Sequence, residues 1–265
     1  MATKLLSEVQ KEDFSKEQCV VSGIAALDKI TGGFRKSSLA VIAARPAMGC
    51  RTLALTCAYN QACAGKKVAF FSVTLSETQI AERLQGINRT LGKENNDYKF
   101  ENQLFVNCSA QFEINELRYE IARLKLVEDI DIVYIDNLLS ISNIGTGNYA
   151  TVTAVTEKLR QLSRDMDIPV VALSSLTRSC ESPQRESHYP NMYDLRFEKI
   201  VNHYADTVLL IYRSEYYGIK VDEDGNSLIG VAELIIEKSP NTRFDTATIH
   251  FEHTDAFGGA FRDVE

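Results

Sequence analysis

The stretch Val41-Ile-Ala-Ala-Arg-Pro-Ala-Met-Gly-Cys-Arg-Thr52 decides the fold prediction for this chain. It opens with an apolar run, passes through a turn that contains proline and glycine, and continues from Leu53 with the spacing of a helix. A strand, a loop and a helix in this order are typical of a phosphate-binding P-loop, in which backbone N–H groups and a helix N-terminus face the phosphates. We therefore expect a nucleotide-binding loop between the first buried strand and the next helix.

The side chains of this loop depart from the usual pattern G-x-x-x-x-G-K-[ST]. In the matching register Gly49 is the second glycine, Cys50 takes the lysine position, and Arg51 takes the position of the hydroxyl that binds Mg²⁺. A register one residue longer would let Arg51 and Thr52 stand for the lysine and the hydroxyl, although arginine approaches phosphate differently. The residues expected around the phosphates are Ala44, Arg45, Pro46, Ala47, Met48, Gly49, Cys50, Arg51 and Thr52.

Composition favours a soluble, cytoplasmic protein. The chain has 265 residues, of which 45% are hydrophobic, so it can bury a sizeable core as one large domain or two small ones. The net charge of −7 gives no support for a general nucleic-acid-binding surface. The 6 cysteines are scattered without a C-x-x-C pair, which is typical of free thiols in a reducing compartment. No secretory signal and no apolar run of membrane-spanning length is present, so we expect no membrane partner.

Predicted strands and helices alternate along most of the chain. Strands are predicted at 38–44, 67–72, 103–107, 130–136, 168–174, 205–212, 230–237 and 246–251. Helices are predicted at 24–30, 52–64, 77–91, 114–127 and 152–166. This alternation predicts an α/β fold with a twisted, mostly parallel sheet and helices on both faces. Because the last strands follow each other without helices, we expect an antiparallel extension at one edge.

A series of short strings carries a family resemblance. In order along the chain they are Gly32-Gly33-Phe34, Ala44-Arg-Pro-Ala-Met-Gly49, Phe71-Ser72, Ile135-Asp136, Pro169-Val-Val-Ala-Leu-Ser174, Asp194-Leu-Arg196 and Ile211-Tyr-Arg213. Together they resemble the C-terminal motor domain of the DnaB-type replicative helicases. The resemblance implies a RecA-like P-loop NTPase fold over residues 21–265. It also implies ATP and Mg²⁺ as cofactors, and ATP-driven unwinding of DNA in replication.

The resemblance assigns roles to single residues, several of which have changed type. Asp136 matches the Walker B carboxylate that holds Mg²⁺, and Thr52 supplies a hydroxyl one residue later than expected. Thr74 stands where the catalytic glutamate is expected, while the finger region keeps Lys238 but has Pro240 at its arginine position. The expected sensor and neighbouring positions are Ser175, Arg178, Arg196 and Arg213.

The combined changes favour a motor domain that has kept its fold and lost most of its hydrolysis. Removing one electrostatic stabiliser typically costs about 10²–10³ in rate, and groups that act as a unit do not add simply. We therefore expect a pseudo-motor that serves as an assembly or regulatory module, with no cofactor if the pocket has failed. Two alternatives stay open. One is an active replicative helicase that uses Arg51 and Thr52 in a non-standard loop, and the other is a nucleotide-binding module without hydrolysis.

The N-terminal segment is the candidate for self-association. Within residues 1–20, the segment 5–17 carries a weak apolar stripe, which its sequence alone explains as a frayed helix or as a docking arm. The family resemblance favours the arm, which would pack on the adjacent subunit of a hexameric ring.

Two loops are the candidates for contact with single-stranded DNA. The loop at 140–151 contains no lysine or arginine, and the loop at 178–190 offers Arg178 and Arg185 against two glutamates. Neutralising a DNA backbone needs several cations from each subunit, so these loops predict weak contact at most. His188 and Tyr189 are able to stack on bases, and a replication protein is the other partner considered.

Two further motifs carry weaker hypotheses. Cys50 is expected at a helix N-terminus, which would lower the pKa of its thiol and raise its reactivity, although no partner base is evident. The segment Asp222-Glu-Asp-Gly-Asn226 resembles a calcium loop faintly, and an acidic turn between strands explains it without metal.

Overall fold

A nine-stranded mixed sheet forms the centre of the computed structural model, which describes residues 18–92, 99–142, 148–182, 184–185, 187–240, 244–254 and 258–264. The strands are β1 (Cys19–Val20), β2 (Phe34–Arg35), β3 (Leu39–Ala44), β4 (Val68–Ser72), β5 (Leu104–Cys108), β6 (Ile132–Asp136), β7 (Val170–Ser175), β8 (Thr207–Tyr212), β9 (Val231–Lys238), β10 (Asp245–Thr254) and β11 (Gly258–Asp263). The large sheet has the order β11-β10-β9-β8-β3-β7-β6-β4-β5, and β1 pairs with β2 alone.

The sheet has a parallel part and an antiparallel edge. Strands β8, β3, β7, β6, β4 and β5 pair in parallel, whereas β9, β10 and β11 continue from β8 in antiparallel pairs. The predicted α/β fold with an antiparallel extension is confirmed. The sequence analysis missed β11, the β1–β2 ribbon and a short helix after residue 197.

Helices cover both faces of the sheet because successive side chains of a strand point to opposite sides. The helices are α1 (Ala25–Thr31), α2 (Cys50–Cys63), α3 (Glu77–Leu91), α4 (Ile114–Glu128), α5 (Tyr149–Asp165) and α6 (Glu198–Tyr204). On β3, Ala40 and Ile42 pack into a core with residues of α1, α2 and α3. Leu39 and Val41 pack into the opposite core with residues of α4, α5 and α6.

Helix α2 is buried almost all round, which explains why it is apolar without a polar stripe. The antiparallel edge closes over its N-terminus. Gly49 has φ 98°, and a Cβ there would lie 2.8 Å from Cζ of Phe261 on β11. Both the backbone conformation and this close approach therefore require glycine at the end of the loop.

Helix α3 begins where its sequence predicts. The Ser76 hydroxyl accepts from the backbone N–H of Gln79, whose side chain accepts from the backbone N–H of Ser76, and together they form a capping box. Gly92 ends the helix in the left-handed conformation. Among the described residues, no helix has the length and apolar character needed to cross a membrane. Residues 1–17 of the predicted arm lie outside the described residues, and Cys19–Val20 at its end form a strand.

Candidate functional site

A cavity of about 600 Å³ opens at the carboxyl ends of the parallel strands. This edge is where open α/β sheets bind ligands, and the volume falls in the range of small-molecule sites. The lining residues are Ala44, Arg45, Pro46, Ala47, Gly49, Cys50, Arg51, Thr52, Arg83, Asp136, Asn137, Leu173, Ser174, Ser175, Arg213 and Phe251. Of the nine predicted loop residues only Met48 is not among them, because its side chain is buried in the core beside α2.

An ion pair between Arg51 and Asp136 occupies one wall of the cavity. Arg51 Nε donates to Asp136 Oδ2 at 2.5 Å, and Arg51 Nη2 donates to Asp136 Oδ1 at 3.2 Å. The same Nη2 donates to Thr74 Oγ1 at 2.7 Å, and that hydroxyl donates to Asp136 Oδ2 at 2.7 Å. Ser72 Oγ adds a hydrogen bond to Asp136 Oδ2 at 3.1 Å. Three separately predicted positions, Arg51, Thr74 and Asp136, thus form one connected cluster, which we call the Arg51 cluster.

The Arg51 cluster does not fit a magnesium ion. In a P-loop site, a loop hydroxyl and the Walker B carboxylate hold the ion between them. Here a guanidinium extends from the hydroxyl position, and both oxygens of Asp136 already accept hydrogen bonds from it. Asp136 lines the cavity but is only 2% exposed, so little of its carboxylate faces the cavity. The expectation that Asp136 and Thr52 bind Mg²⁺ is therefore not favoured by this geometry.

Cys50 behaves as a packed thiol and not as a reactive one. Its Sγ donates to the carbonyl of Ile42 on β3 at 3.4 Å. Burial, with a smaller contribution from the nearby Asp136 carboxylate, raises the pKa of Cys50 to about 12. The prediction of a lowered pKa at this helix N-terminus is wrong, because desolvation of the thiolate outweighs the helix dipole.

Several hydrogen-bond donors around the cavity lack partners among the described residues. Ser174 Oγ and Arg213 Nε are buried and make no hydrogen bond there. Arg213 stacks its guanidinium over the Phe251 ring at 3.8 Å and pairs with Glu215 through Nη2. Arg83 on α3 forms no hydrogen bond or ion pair within the described part of the chain, and burial followed by the nearby Arg51 charge lowers its pKa. Such donors suit an anionic ligand.

The charge balance of the cavity also favours an anion. Its lining includes four arginines, of which Arg45, Arg51 and Arg213 pair with Glu181, Asp136 and Glu215. Arg83 is the arginine of this lining that forms no ion pair among the described residues, so the cavity keeps a net positive charge. The sequence analysis did not single out Arg83, Ser174 or Phe251 as site residues. The sequence did contain a sign of Arg83, because this arginine lies beside the apolar positions Ile80 and Leu84 of the buried face of α3.

Arg45 connects the phosphate loop to the segment after β7. Its Nε and Nη2 donate to the two carboxylate oxygens of Glu181, each at 2.8 Å, and its Nη1 donates to the Leu176 carbonyl at 3.0 Å. The Glu181 carboxylate belongs to a short helix, Arg178–Glu181, in the predicted DNA-facing loop. Arg45 is thus committed to a structural contact at the rim of the cavity.

Of the predicted sensor and neighbouring positions, Ser175 and Arg213 line the cavity, whereas Arg178 and Arg196 are not among its lining residues. Lys238 Nζ donates to the Asn202 carbonyl at 2.5 Å, and burial lowers the pKa of Lys238. Arg196 lies over the ring of Phe197 at 5.5 Å. Arg185 Nη1 donates to Asp194 Oδ1 at 2.6 Å, so its charge faces inward, while Arg178 lies on the short helix beside Glu181. The finger-region residue Arg243 lies outside the described residues.

The remaining motifs have structural explanations. The His188 ring stacks on Tyr217 at 4.4 Å, and Tyr189 donates its hydroxyl proton to Glu233 at 3.1 Å. Asp222 accepts from the backbone N–H of Asn226 at 2.7 Å within the acidic turn. No group of three or more potential metal ligands occurs within the described ranges.

The parallel sheet, the glycine-ended loop and the helix that follows it define a RecA-like P-loop NTPase fold. The chain belongs to the family described as DnaB-like helicase C terminal domain, whose model matches residues 19–257. It is 29% identical over 253 residues to the replicative DNA helicase DnaB of Geobacillus stearothermophilus, covering 88% of this chain and 54% of that protein. The chain thus spans about half the length of the curated relatives it matches.

Two solved structures support the same fold. One is described as an ATPase domain, and it superposes with a TM-score of 0.78 at 22% identity, covering 98% of this chain and 95% of that chain. The other, a DnaB-like replicative helicase studied with its primase interactions, gives a TM-score of 0.76 at 22% identity, covering 98% and 66%. At this identity the likeness shows the fold alone.

Proposed function

We propose that this chain is a DnaB-type motor domain that does not hydrolyse ATP at a useful rate, and that it acts as an assembly or regulatory module of DNA replication. One observation carries the proposal. The Arg51 guanidinium is bound to the Asp136 carboxylate, with Thr74 bridging the two at the position expected for the catalytic glutamate.

This arrangement removes the groups that phosphoryl transfer depends on. Hydrolysis in P-loop proteins needs a lysine and Mg²⁺ on the phosphates and a residue that positions the attacking water. Here the lysine position is a packed thiol, and the Walker B carboxylate is occupied by Arg51. Thr74 has no carboxylate with which to activate water. Because each loss typically lowers the rate by about 10²–10³, their combination leaves little turnover.

The test compares ATP turnover by the chain with turnover by the triple variant Cys50→Lys/Arg51→Thr/Thr74→Glu. Both are assayed with and without single-stranded DNA. We expect the unaltered chain to match its Asp136→Ala variant, and the triple variant to exceed both by about 10²-fold or more. Hydrolysis by the unaltered chain that DNA stimulates and Asp136→Ala abolishes would instead select an active helicase using Arg51 and Thr52. Arg123→Thr, at an exposed pair on α4, is the matched control for an arginine substitution.

A second candidate function is nucleotide binding without hydrolysis. The unpartnered Ser174 Oγ and Arg213 Nε at the cavity, together with Arg83, favour it. Thermal unfolding with and without nucleotide tests this candidate, since a ligand at a hundredfold excess over Kd stabilises the folded chain by about 2.7 kcal/mol. ATP is the proposed ligand, and no stabilisation at millimolar ATP would leave the assembly role without a cofactor.

The proposed partners are further copies of this chain or a replication protein. Residues 1–20 would act as the docking arm and 21–265 as the motor domain. Two observations support a partner that completes the site: Lys238 is not among the residues that line the cavity of its own chain, and Thr74 supplies no catalytic carboxylate. Light scattering on the chain with and without residues 1–17 measures the mass of the oligomer. An oligomer that keeps the same number of chains after truncation argues against the arm. Single-stranded DNA is the weaker candidate because Arg185 is bound to Asp194.

A further inference from the structure

The Arg51 guanidinium lies between the end of the phosphate loop and the Walker B carboxylate, where a P-loop site would hold its divalent ion. We propose that Arg51 is a tethered cation that replaces Mg²⁺, so that the cavity binds the phosphate chain of a nucleoside triphosphate free of metal. The inference rests on the proposed function, because a site that binds without Mg²⁺ is a site that does not hydrolyse.

The position of Arg51 is fixed from three sides. The residue lies in the first turn of α2, directly after the loop, so its side chain is carried at the helix N-terminus. Asp136 accepts from Nε and Nη2, and Thr74 accepts from Nη2. A guanidinium is planar and always charged, so this bidentate contact holds a positive charge at a constant place.

Arg51 keeps donors to offer to a ligand. Its two Nη1 N–H groups make no hydrogen bond among the described residues, and its side chain is 32% exposed at the cavity wall. Nε and Nη2 are used by Asp136 and Thr74, so Nη1 is the nitrogen of Arg51 that is available to donate to phosphate oxygens. The ion pair with Asp136 therefore orients Arg51 without using up its capacity to bind an anion.

The surrounding charges disfavour a divalent ion and favour a metal-free triphosphate. The negative charge of Asp136 is already balanced by Arg51, and Arg83 adds a further positive charge that forms no ion pair in the described structure. A magnesium ion entering this wall would meet two guanidinium groups and no free carboxylate. The metal-free triphosphate carries about two more negative charges than its Mg²⁺ complex, so the arginines attract it more strongly.

The remaining donors without a partner in the described structure extend the same surface. Ser174 Oγ and Arg213 Nε are both buried at the cavity, with their residues each 7% exposed. Buried donors without partners are costly unless a ligand satisfies them. Arg51, Arg83, Ser174 and Arg213 together give the phosphate chain four side chains to bind, and none of them carries a carboxylate.

The experiment measures ATP affinity by calorimetry in excess EDTA and in excess Mg²⁺. The chain is compared with Arg51→Thr, Arg51→Lys and the control Arg123→Thr. For the unaltered chain we expect Kd in EDTA to equal or improve on Kd in Mg²⁺. Arg51→Thr, which restores a loop hydroxyl beside Asp136, should bind ATP at least about tenfold more weakly in EDTA and recover with Mg²⁺. Arg51→Lys should keep part of the metal-free binding, and Arg123→Thr should match the unaltered chain.

The outcomes separate this inference from the proposed function. If the unaltered chain binds ATP with a Kd at least tenfold lower in Mg²⁺ than in EDTA, the inference is overturned. Absence of binding under both conditions overturns it as well. Neither result bears on the proposal that the chain does not hydrolyse ATP. Hydrolysis is measured separately, by chromatographic detection of ADP in the same samples. If Arg51→Thr does not fold, as judged by circular dichroism, the comparison of EDTA with Mg²⁺ on the unaltered chain decides alone.

Discussion

The sheet interior and the strand tips of this molecule differ in how closely they follow the family pattern. In the interior, β3 runs from Leu39 to Ala44 with every residue buried, as a central parallel strand should. At the tips, Cys50 and Arg51 stand where the P-loop pattern has lysine and a hydroxyl residue, and Thr74 stands where the family resemblance predicts a glutamate. The comparison shows that the stability of this fold and its chemistry reside in different side chains.

The residues at the strand tips that differ from the P-loop pattern make structural contacts. Cys50 fills space and donates to the Ile42 carbonyl, and Arg51 neutralises a buried carboxylate. An Asp136 carboxylate without a cation would carry a desolvation cost in the absence of metal. The ion pair of the Arg51 cluster offsets part of that cost without a ligand, and the following predictions test this division.

Phe70→Ala should have the largest effect on stability. Phe70 lies fully buried on β4 with its ring stacked on Tyr134 at 5.9 Å between centroids. Removing such a ring costs about 3–5 kcal/mol of unfolding free energy, measured by urea denaturation. Tyr119→Ala is the control, because that ring is 73% exposed and its loss should change stability by less than about 0.5 kcal/mol. A loss below about 1 kcal/mol for Phe70→Ala would contradict the assignment of stability to the interior.

Arg51→Ala should have an intermediate effect on the free energy of unfolding, and it tests the contacts at the strand tips. It leaves the Asp136 carboxylate buried but still hydrogen-bonded to Ser72 and Thr74. We expect a loss of about 1–3 kcal/mol, less than for a buried charge with no partner at all. The double variant Arg51→Ala/Asp136→Ala should lose less than the sum of the single variants. Additive losses in this double-mutant cycle would show that the two side chains are not coupled.

The sheet was predictable from sequence because buried parallel strands appear in the sequence as continuous apolar runs. Strand β11 was missed because its start, Gly258-Gly259, has no strand character, and it pairs through the backbone with β10. Helix α6 was missed because it has only seven residues and begins after Phe197 in the left-handed conformation.

The site was less predictable because its contacts are long-range. The family resemblance placed Arg51 and Asp136 separately, as a changed and a retained position. It gave no sign that they touch, since they are 85 residues apart in the chain. The lowered thiol pKa predicted for Cys50 failed for a similar reason, because the helix position is readable from sequence and the burial is not.

Glu181→Gln should have the smallest effect on stability, and this effect should depend on pH. The hydrogen bonds and charge of Arg45 lower the pKa of Glu181 below its ordinary value of 4.5. A lowered folded-state pKa means that the pair stabilises the chain at pH above 4.5, and that this contribution is lost as the pH falls through the folded-state value. We expect Glu181→Gln to cost about 0.5–1 kcal/mol near pH 7, a modest amount because the pair is partly exposed. The difference from the unaltered chain should vanish in acid. Thermal unfolding between pH 7 and pH 3 measures both, with Glu116→Gln, an exposed glutamate on α4, as the matched control. A difference that stays constant with pH would mean that packing, and not the charge of Glu181, joins the phosphate loop to the segment after β7.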